Sequence, residues 1–224
     1  MVEIIVKTES LFKKTAAIIA QSIDQVLIDK DEVIIGLPGG RSIENILKCL
    51  IREKIQWNKV HIFMIDERLV PIDNLESNFR LIKKGLSDVV PISNLHPFCY
   101  KEDLSDKGLT EYIEEIMKYG AKYDIILVSS GEDGHIGALY PDHSSILDES
   151  NFLISMNDSP KPPKNRMSIS KNFLLRSTIG IILFAGDIKK QAYEMYQDKN
   201  IEFRKCPAKL VNLLPKSYVI TDIE

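Results

Sequence analysis

Short apolar runs alternate with amphipathic segments along most of the chain. Helical spacing of apolar positions is found at residues 11–28, 43–55, 109–119 and 189–196. The runs between these segments do not alternate polar with apolar residues, which is typical of strands buried on both faces. They cover residues 3–6, 33–37, 60–65, 123–128, 179–184 and 218–221. This order predicts an α/β fold, a three-layer, mostly parallel, doubly wound sheet with helices on both faces.

The segment 155–166, SMNDSPKPPKNR, contains three prolines and several turn-forming residues. It predicts an ordered loop without regular structure. It could instead be a linker between two domains, but only about 60 residues follow it, at the low end of what a domain needs. We therefore expect a single domain over residues 1–224.

Charge and hydropathy argue against several classes of partner. The chain has 29 Lys and Arg against 32 Asp and Glu, a net charge of -3, which gives no reason to expect nucleic acid or an anionic membrane. The start of the sequence lacks a basic leader, and no stretch approaches the roughly 18 to 20 apolar residues of a spanning helix. We expect a cytoplasmic protein, either a monomer or a small homo-oligomer.

Polar clusters follow four of the predicted strands. PGGRS comes after Leu37, DER after Ile65, SSGEDGH after Val128 and AGDIKK after Phe184. In open parallel sheets, ligands bind beyond the carboxyl ends of the strands. The four clusters are therefore expected to converge on one crevice.

The first cluster predicts an anion site. Gly39 and Gly40 stand between strand and helix, where the missing Cβ atoms let an anion approach backbone N–H groups. Arg41 favours phosphate as that anion, and Ser42 is expected to cap the helix. The pattern matches neither the nucleoside-triphosphate loop nor the dinucleotide fingerprint, and a purely structural role for the two glycines stays open.

The second cluster places Asp66, Glu67 and Arg68 directly after a strand. A carboxylate at this position can accept backbone N–H bonds from a neighbouring loop, which is a structural role. Alternatively, it holds a sugar hydroxyl or orients a base, while Arg68 meets an anion. The segment ESNFRL then predicts a helix capped by Ser77 or Asn78, and Asn78 is a further candidate for substrate binding.

The third cluster brackets a histidine with glycines. Gly131 and Gly134 allow a tight fold around His135, whose imidazole can take a proton near neutral pH, and Asp133 can orient that ring. His143 is expected to cap a turn. Asp133, His135 and His143 could also bind a metal, but their spacing matches no closed site, so none is expected.

Cations occur in the proline-rich loop and in the fourth cluster. Lys161, Lys164 and Arg166 of the proline-rich loop could close over an anion or stay in solvent. Lys189 opposes the dipole of the helix that it enters, a cost of a few tenths of a kcal/mol that an anionic ligand would offset.

In this order the clusters resemble the 6-phosphogluconolactonases, relatives of the glucosamine-6-phosphate isomerase/deaminase group. GLPGGRS is similar to the glycine-rich sugar-phosphate loop of that family, and IDERLVP with ESNFRL to its acidic strand-end motif. GEDGHIGALYP resembles its G-x-D-G-H-x-A-S-L-F-P signature, and SPKPPKNRMSI and AGDIKK its later substrate loops. The resemblance covers about residues 33–193.

The continuation D-G-H-I-G-A-L-Y-P resembles the lactonase branch, whereas the deaminase branch continues D-G-H-I-A-F. The chain departs from the family at Ser129, where glycine is usual, at Ile43, where proline is usual, and at Gly137 and Ala138, where alanine and serine are usual. None of these positions carries a side chain assigned to the chemistry.

The resemblance implies a deaminase-like α/β fold and hydrolysis of 6-phosphoglucono-1,5-lactone in the oxidative pentose phosphate pathway, without metal or organic cofactor. His135 would be the general base, assisted by Asp133 or Asp66. Two alternatives stay open, a glucosamine-6-phosphate isomerase/deaminase and a non-catalytic sugar-phosphate sensor. The implied substrate-binding residues are Gly39, Gly40, Arg41, Arg68, Asn78, Lys161, Arg166 and Lys189.

Overall fold

The computed structural model describes residues 2–223. All six predicted strands and all five predicted helices are present. The strands are β1 (Val2–Lys7), β2 (Val33–Leu37), β3 (Val60–Met64), β4 (Asp66–Arg68), β5 (Leu95–His96), β6 (Ile125–Ser129), β7 (Leu153–Met156), β8 (Arg166–Ile169), β9 (Ile179–Phe184) and β10 (Lys216–Thr221). The helices are α1 (Leu11–Val26), α2 (Arg41–Leu50), α3 (Asn78–Leu86), α4 (Leu109–Lys118), α5 (Ser144–Leu147), α6 (Lys171–Leu174) and α7 (Lys190–Gln197).

Seven strands form one parallel sheet in the order β1-β10-β9-β6-β2-β3-β5. Every residue of β2, β3 and β9 is buried. Helices cover both faces of these strands, which explains why their sequences show no polar alternation. No helix among residues 2–223 is long and apolar enough to cross a membrane.

The sheet winds outward in two directions from its centre. From β2 the chain moves through β3 to β5, and from β6 it moves through β9 to β10. Because such crossovers are right-handed, α1, α2 and α3 lie on one face and α4 and α7 on the other. The strands β2 and β6 are neighbours, so the switch in winding direction falls between them. Ligand sites of doubly wound folds lie at this switch point.

A second sheet of three antiparallel strands, β4-β8-β7, was not predicted. The expectation of an irregular segment from residue 155 to 166 is wrong at both ends, because β7 extends to Met156 and β8 begins at Arg166. Pairing of β4 with β8 sets Arg68 opposite Arg166 and Asp66 opposite Ser168. The small sheet therefore fixes the acidic strand end against the proline-rich loop.

Candidate active site

A cleft of about 210 Å³ opens at the carboxyl edge of the large sheet, above the switch point. All four predicted clusters and the proline-rich loop contribute to its walls. Nine of the eleven predicted site residues line it, namely Gly39, Gly40, Asp66, Arg68, Asn78, His135, Lys161, Arg166 and Lys189. The other two, Asp133 and Arg41, lie beside it.

His135, which lines the cleft, forms a hydrogen-bonded pair with Asp133 beside it. The Nδ1 atom of His135 lies 2.5 Å from Oδ1 of Asp133, which also accepts the backbone N–H of His135 at 3.2 Å. Burial raises the pKa of Asp133, but the hydrogen bond and charge of His135 outweigh burial and hold that pKa at about 2. Asp133 is therefore an anion that fixes the ring and leaves Nε2 as the nitrogen able to take a proton.

Gly131 is required by the imidazole. A Cβ atom on this residue would lie 2.0 Å from Nδ1 of His135. The turn is closed by its own backbone, since the amide of Gly131 donates to the carbonyl of His135 at 2.7 Å and that of Gly134 to the carbonyl of Gly131 at 3.3 Å. These two amides are thus occupied and do not serve an incoming oxyanion.

The neighbouring carboxylates of β4 have different roles because successive strand residues point to opposite sides. Glu67 accepts the amides of Asn78 and Phe79 at 2.7 and 2.8 Å, so it caps the start of α3. Asp66 points into the cleft, where burial raises its pKa although Arg166 and other positive neighbours lower it. Of the two roles considered for this cluster, Glu67 takes the structural one, and the functional role stays a prediction for Asp66.

Asn78 connects two of the clusters. Its Nδ2 atom donates to the carbonyl oxygen of Asp66 at 3.0 Å and to Oδ2 of Asp66 at 3.3 Å. A Cβ atom on Gly39 would lie 1.8 Å from Oδ1 of Asn78, so only glycine fits there. The helix cap predicted at Ser77 or Asn78 is Ser77, whose hydroxyl accepts the amide of Arg80 at 3.2 Å.

The glycine-rich turn leaves the N-terminus of α2 open. Gly40 precedes the helix with φ 103, a conformation that favours glycine, and offers no side-chain cap. The prediction that Ser42 caps this helix is wrong, because the helix begins at Arg41 and Ser42 lies in its first turn. Among residues 2–223, the amides of Gly39, Gly40 and Arg41 have no hydrogen-bond acceptor.

Four cationic side chains reach the cleft. Arg166 is buried and its guanidinium donates to the carbonyls of Pro162 and Pro163, with Nη1 3.6 Å from Oδ2 of Asp66. Arg68 donates to the carbonyl of Glu76, while its Nε is buried without a partner among the described residues. The remaining two are Lys161 and Lys189.

Lys189 is half-buried, and burial lowers its pKa. Glu132 and Asp133 act in the opposite direction, whereas the charges of Lys161 and Arg41 add to the lowering. Arg41 itself is exposed and lines an adjoining groove of about 460 Å³ between α2 and α3 rather than the cleft. That groove shares Gly40, Arg68 and Asn78 with the cleft. The assignment of Arg41 to substrate binding stays a prediction.

His143 caps a turn, as predicted. Its Nδ1 accepts the amide of Ser145 at 3.1 Å at the start of α5, and its Nε2 lies 3.3 Å from Asp158. Within residues 2–223, Asp133, His135 and His143 do not form a group with metal-ligand geometry.

Tyr140 was missed as a site residue. It lines the cleft, and its ring centroid lies 4.8 Å from that of His135. Ser129 and Ser130 also line the cleft. The available signal for Tyr140 was its fixed place in the D-G-H-I-G-A-L-Y-P motif.

A parallel sheet with an acid–base pair and several cations at its switch point defines an α/β protein that binds a small anionic ligand at its strand ends. The family described as glucosamine-6-phosphate isomerases/6-phosphogluconolactonase matches residues 6–219. A 6-phosphogluconolactonase of Borreliella burgdorferi is 33% identical over 204 residues, which cover 88% of this chain and 87% of that relative. The chain belongs to the glucosamine-6-phosphate isomerase/6-phosphogluconolactonase family.

Solved structures show the same fold in both branches of the family. A 6-phosphogluconolactonase from Thermotoga maritima aligns with a TM-score of 0.83 at 24% identity, covering 98% of each chain. A monomeric glucosamine-6-phosphate deaminase aligns with a TM-score of 0.82 at 21% identity, covering 99% of this chain and 97% of that one. The two scores are so close that the fold does not distinguish a lactonase from a deaminase.

Proposed function

We propose that this protein is a 6-phosphogluconolactonase, which hydrolyses 6-phosphoglucono-1,5-lactone to 6-phosphogluconate in the oxidative pentose phosphate pathway. The observation that carries the proposal is the pairing of His135 with Asp133 in a cleft that also presents Arg68, Lys161 and Lys189. The His135–Asp133 pair can activate water, and the cations can hold a phosphate. The lactonase-like D-G-H-I-G-A-L-Y-P segment and the 33% identical relative support this branch of the family.

His135 acts as the general base. Its Nδ1 is held by Asp133, so Nε2 removes a proton from water while the water oxygen bonds to the lactone carbonyl carbon. The tetrahedral intermediate then collapses, the bond from that carbon to the ring oxygen breaks, and the imidazolium returns the proton to that oxygen. The product acid releases its own proton to solvent, which makes the reaction measurable as acid production.

Substrate positioning comes from the phosphate end. Lys189 has a pKa lowered mainly by burial, and a phosphate dianion beside it would compensate for the crowding of positive charge. The buried Nε of Arg68 and the open amides of Gly39 and Gly40 offer further donors. When the phosphate is anchored by these donors, the lactone carbonyl is held against His135.

Asp66 serves the sugar rather than the water. It lies in the cleft beside Asn78 and Arg166, where a carboxylate can accept a hydrogen bond from a sugar hydroxyl. Asp133, which contacts the imidazole directly, is the residue that orients the base.

We place this activity in the cytoplasm, in a monomer or small homo-oligomer that acts on a free sugar phosphate. The near balance of charge, with a net value of -3, favours neither nucleic acid nor an anionic membrane as partner. General-base hydrolysis of a lactone by an imidazole requires neither a metal nor an organic cofactor.

The decisive experiment measures acid release from 6-phosphoglucono-1,5-lactone above the spontaneous rate, with ammonia release from glucosamine 6-phosphate assayed in parallel. Acid release alone supports the proposal. Ammonia release alone identifies the isomerase/deaminase alternative, and binding of both sugar phosphates without turnover identifies the sensor.

Two substitutions separate chemistry from substrate capture. His135→Ala is expected to lower kcat by about 10²- to 10⁴-fold, the usual contribution of a general base. Lys189→Ala is expected to act chiefly on KM, and Lys190→Ala, which removes the exposed neighbouring lysine, is the matched control. Equal kinetic profiles for the first two variants would contradict the assigned roles.

A further inference from the structure

Tyr140 joins two parts of the cleft that the proposed function uses separately. Its side chain is 1% exposed, although it forms part of the cleft wall. One face of the ring packs beside His135, with a centroid distance of 4.8 Å and an interplanar angle of 43°. The hydroxyl lies 3.0 Å from Oγ of Ser159, which is 2% exposed.

Ser159 is hydrogen-bonded to other residues of the proline-rich loop. Its Oγ lies 2.8 Å from the carbonyl oxygen of Lys161 and accepts the amide of Lys161 at 3.3 Å. Its own amide donates to the carbonyl of Lys164 at 3.2 Å. The backbone that carries Lys161 into the cleft is therefore tied to the phenol of Tyr140 through one hydroxyl.

The backbone of Tyr140 is itself held in place. Its amide donates to Oγ of Ser145 at 3.1 Å, and that oxygen lies 3.0 Å from Nδ1 of His143. The ring of His143 also packs edge-on against the tyrosine, with centroids 5.8 Å apart. Because these contacts hold both the main chain and the ring of Tyr140, the tyrosine can keep its neighbours in place instead of being displaced by them.

We propose that Tyr140 is a positioning residue that couples the catalytic imidazole to the anion-binding loop, with its ring orienting His135 and its hydroxyl orienting Lys161 through Ser159. This inference rests on the proposed lactonase function. The inference assigns different roles to the ring and to the hydroxyl of Tyr140. The ring affects the chemical step, and the hydroxyl affects phosphate capture.

The hydroxyl is tested by Tyr140→Phe, which keeps the ring beside His135. Loss of one buried hydrogen bond is expected to raise KM for the lactone by about three- to tenfold with kcat unchanged. Tyr193→Phe is the matched control, because the hydroxyl of Tyr193 is buried without a partner among residues 2–223. A decrease in kcat with unchanged KM would overturn the assignment of the hydroxyl.

Double variants separate coupling from a general loss of packing. If the hydroxyl acts through Ser159 and Lys161, Tyr140→Phe has no further effect on KM in a Ser159→Ala or a Lys161→Ala background. Additive effects on KM would overturn the proposed route. Tyr140→Leu, which removes the ring, is expected to lower kcat in addition to raising KM.

Calorimetric titration with inorganic phosphate tests the same coupling without turnover. Tyr140→Phe is expected to weaken phosphate binding in the wild-type background and not in the Lys161→Ala background. A wild-type protein without lactonase activity refutes the proposed function, whereas an active wild type whose Tyr140→Phe variant is unchanged in both assays refutes only this inference.

Discussion

At the scale of single residues, Asp133 and Glu132 are adjacent carboxylates, but Asp133 is the one bonded to the imidazole. Asp133→Asn removes the charge that orients His135, so kcat is expected to fall by about 10²- to 10⁴-fold, the usual contribution of a general base. The pKa of about 2 keeps Asp133 ionised in any practical assay, and the loss is therefore expected at acidic and neutral pH alike.

Steady-state lactone hydrolysis checks this prediction, with Glu132→Gln as a control that makes the same chemical change one residue away. Equal losses in the two variants would indicate that general negative charge, rather than the contact with His135, matters. A circular dichroism spectrum like that of the wild type would show that the fold is retained.

At the scale of secondary-structure elements, the start of α3 depends on Glu67. This buried carboxylate accepts the amides of Asn78 and Phe79 and the hydroxyl of Ser77. Glu67→Gln places an amide group against these donors, and the free energy of unfolding is expected to fall by about 2 kcal/mol. Because Asn78 begins this helix and lines the cleft, activity is expected to fall as well.

Asp66→Asn is the matched comparison for Glu67→Gln, since it alters the neighbouring carboxylate that faces the cleft. It is expected to reduce activity with a smaller loss of stability. Urea unfolding and lactone hydrolysis on both variants test the division of roles, and a greater loss of stability in Asp66→Asn would reverse it.

The buried His96 is expected to make the edge of the sheet sensitive to acid. Nδ1 of His61 lies 3.0 Å from Nε2 of His96, whose Nδ1 lies 3.0 Å from Glu115. Burial and then the charge of His61 lower the pKa of His96. As the pH falls, His96 therefore takes up a proton more readily in the unfolded chain than in the folded one. The contribution of His96 to the free energy of unfolding is fully present above about pH 6.5 and decreases as the pH falls below that value.

Urea unfolding of the wild type and of His96→Gln at about pH 7.5 and about pH 5.5 measures this effect, and the variant is expected to show a smaller difference between the two pH values. Glu115, whose pKa is lowered chiefly by Lys118, loses its contribution only at lower pH. Glu32, 3.5 Å from His61, and Lys118, whose charge also lowers the pKa of His96, face the pair as well. An unchanged pH difference in the variant would refute this assignment.

At the scale of the whole molecule, we propose that the chain is one domain that unfolds as a unit. The first strand, β1, pairs with the last, β10, and β2 pairs with β6 across the two directions of winding. Neither half of the sequence therefore contains a complete sheet. Fluorescence of Trp57, the one tryptophan of the chain, is expected to follow the same urea transition as far-ultraviolet circular dichroism. Separate midpoints would indicate two domains.

The sequence by itself determined six of the seven strands of the large sheet and most of the composition of the cleft. Non-alternating runs specify strands covered on both faces, and the polar residues that follow them must lie at one edge because parallel strands end there together. These local signals led to His135, Asp133 and Lys189 without coordinates.

Tertiary structure decided what local signals do not contain. The three-residue strand β4 exists because β8, about 100 residues later, pairs with it. That pairing separates Asp66 from Glu67, and the packing of α2 beside α3 directs Arg41 to a groove outside the cleft. The position of Tyr140 between His135 and Ser159 likewise depends on contacts from a distant loop, because side-chain direction and long-range packing are properties of the assembled fold.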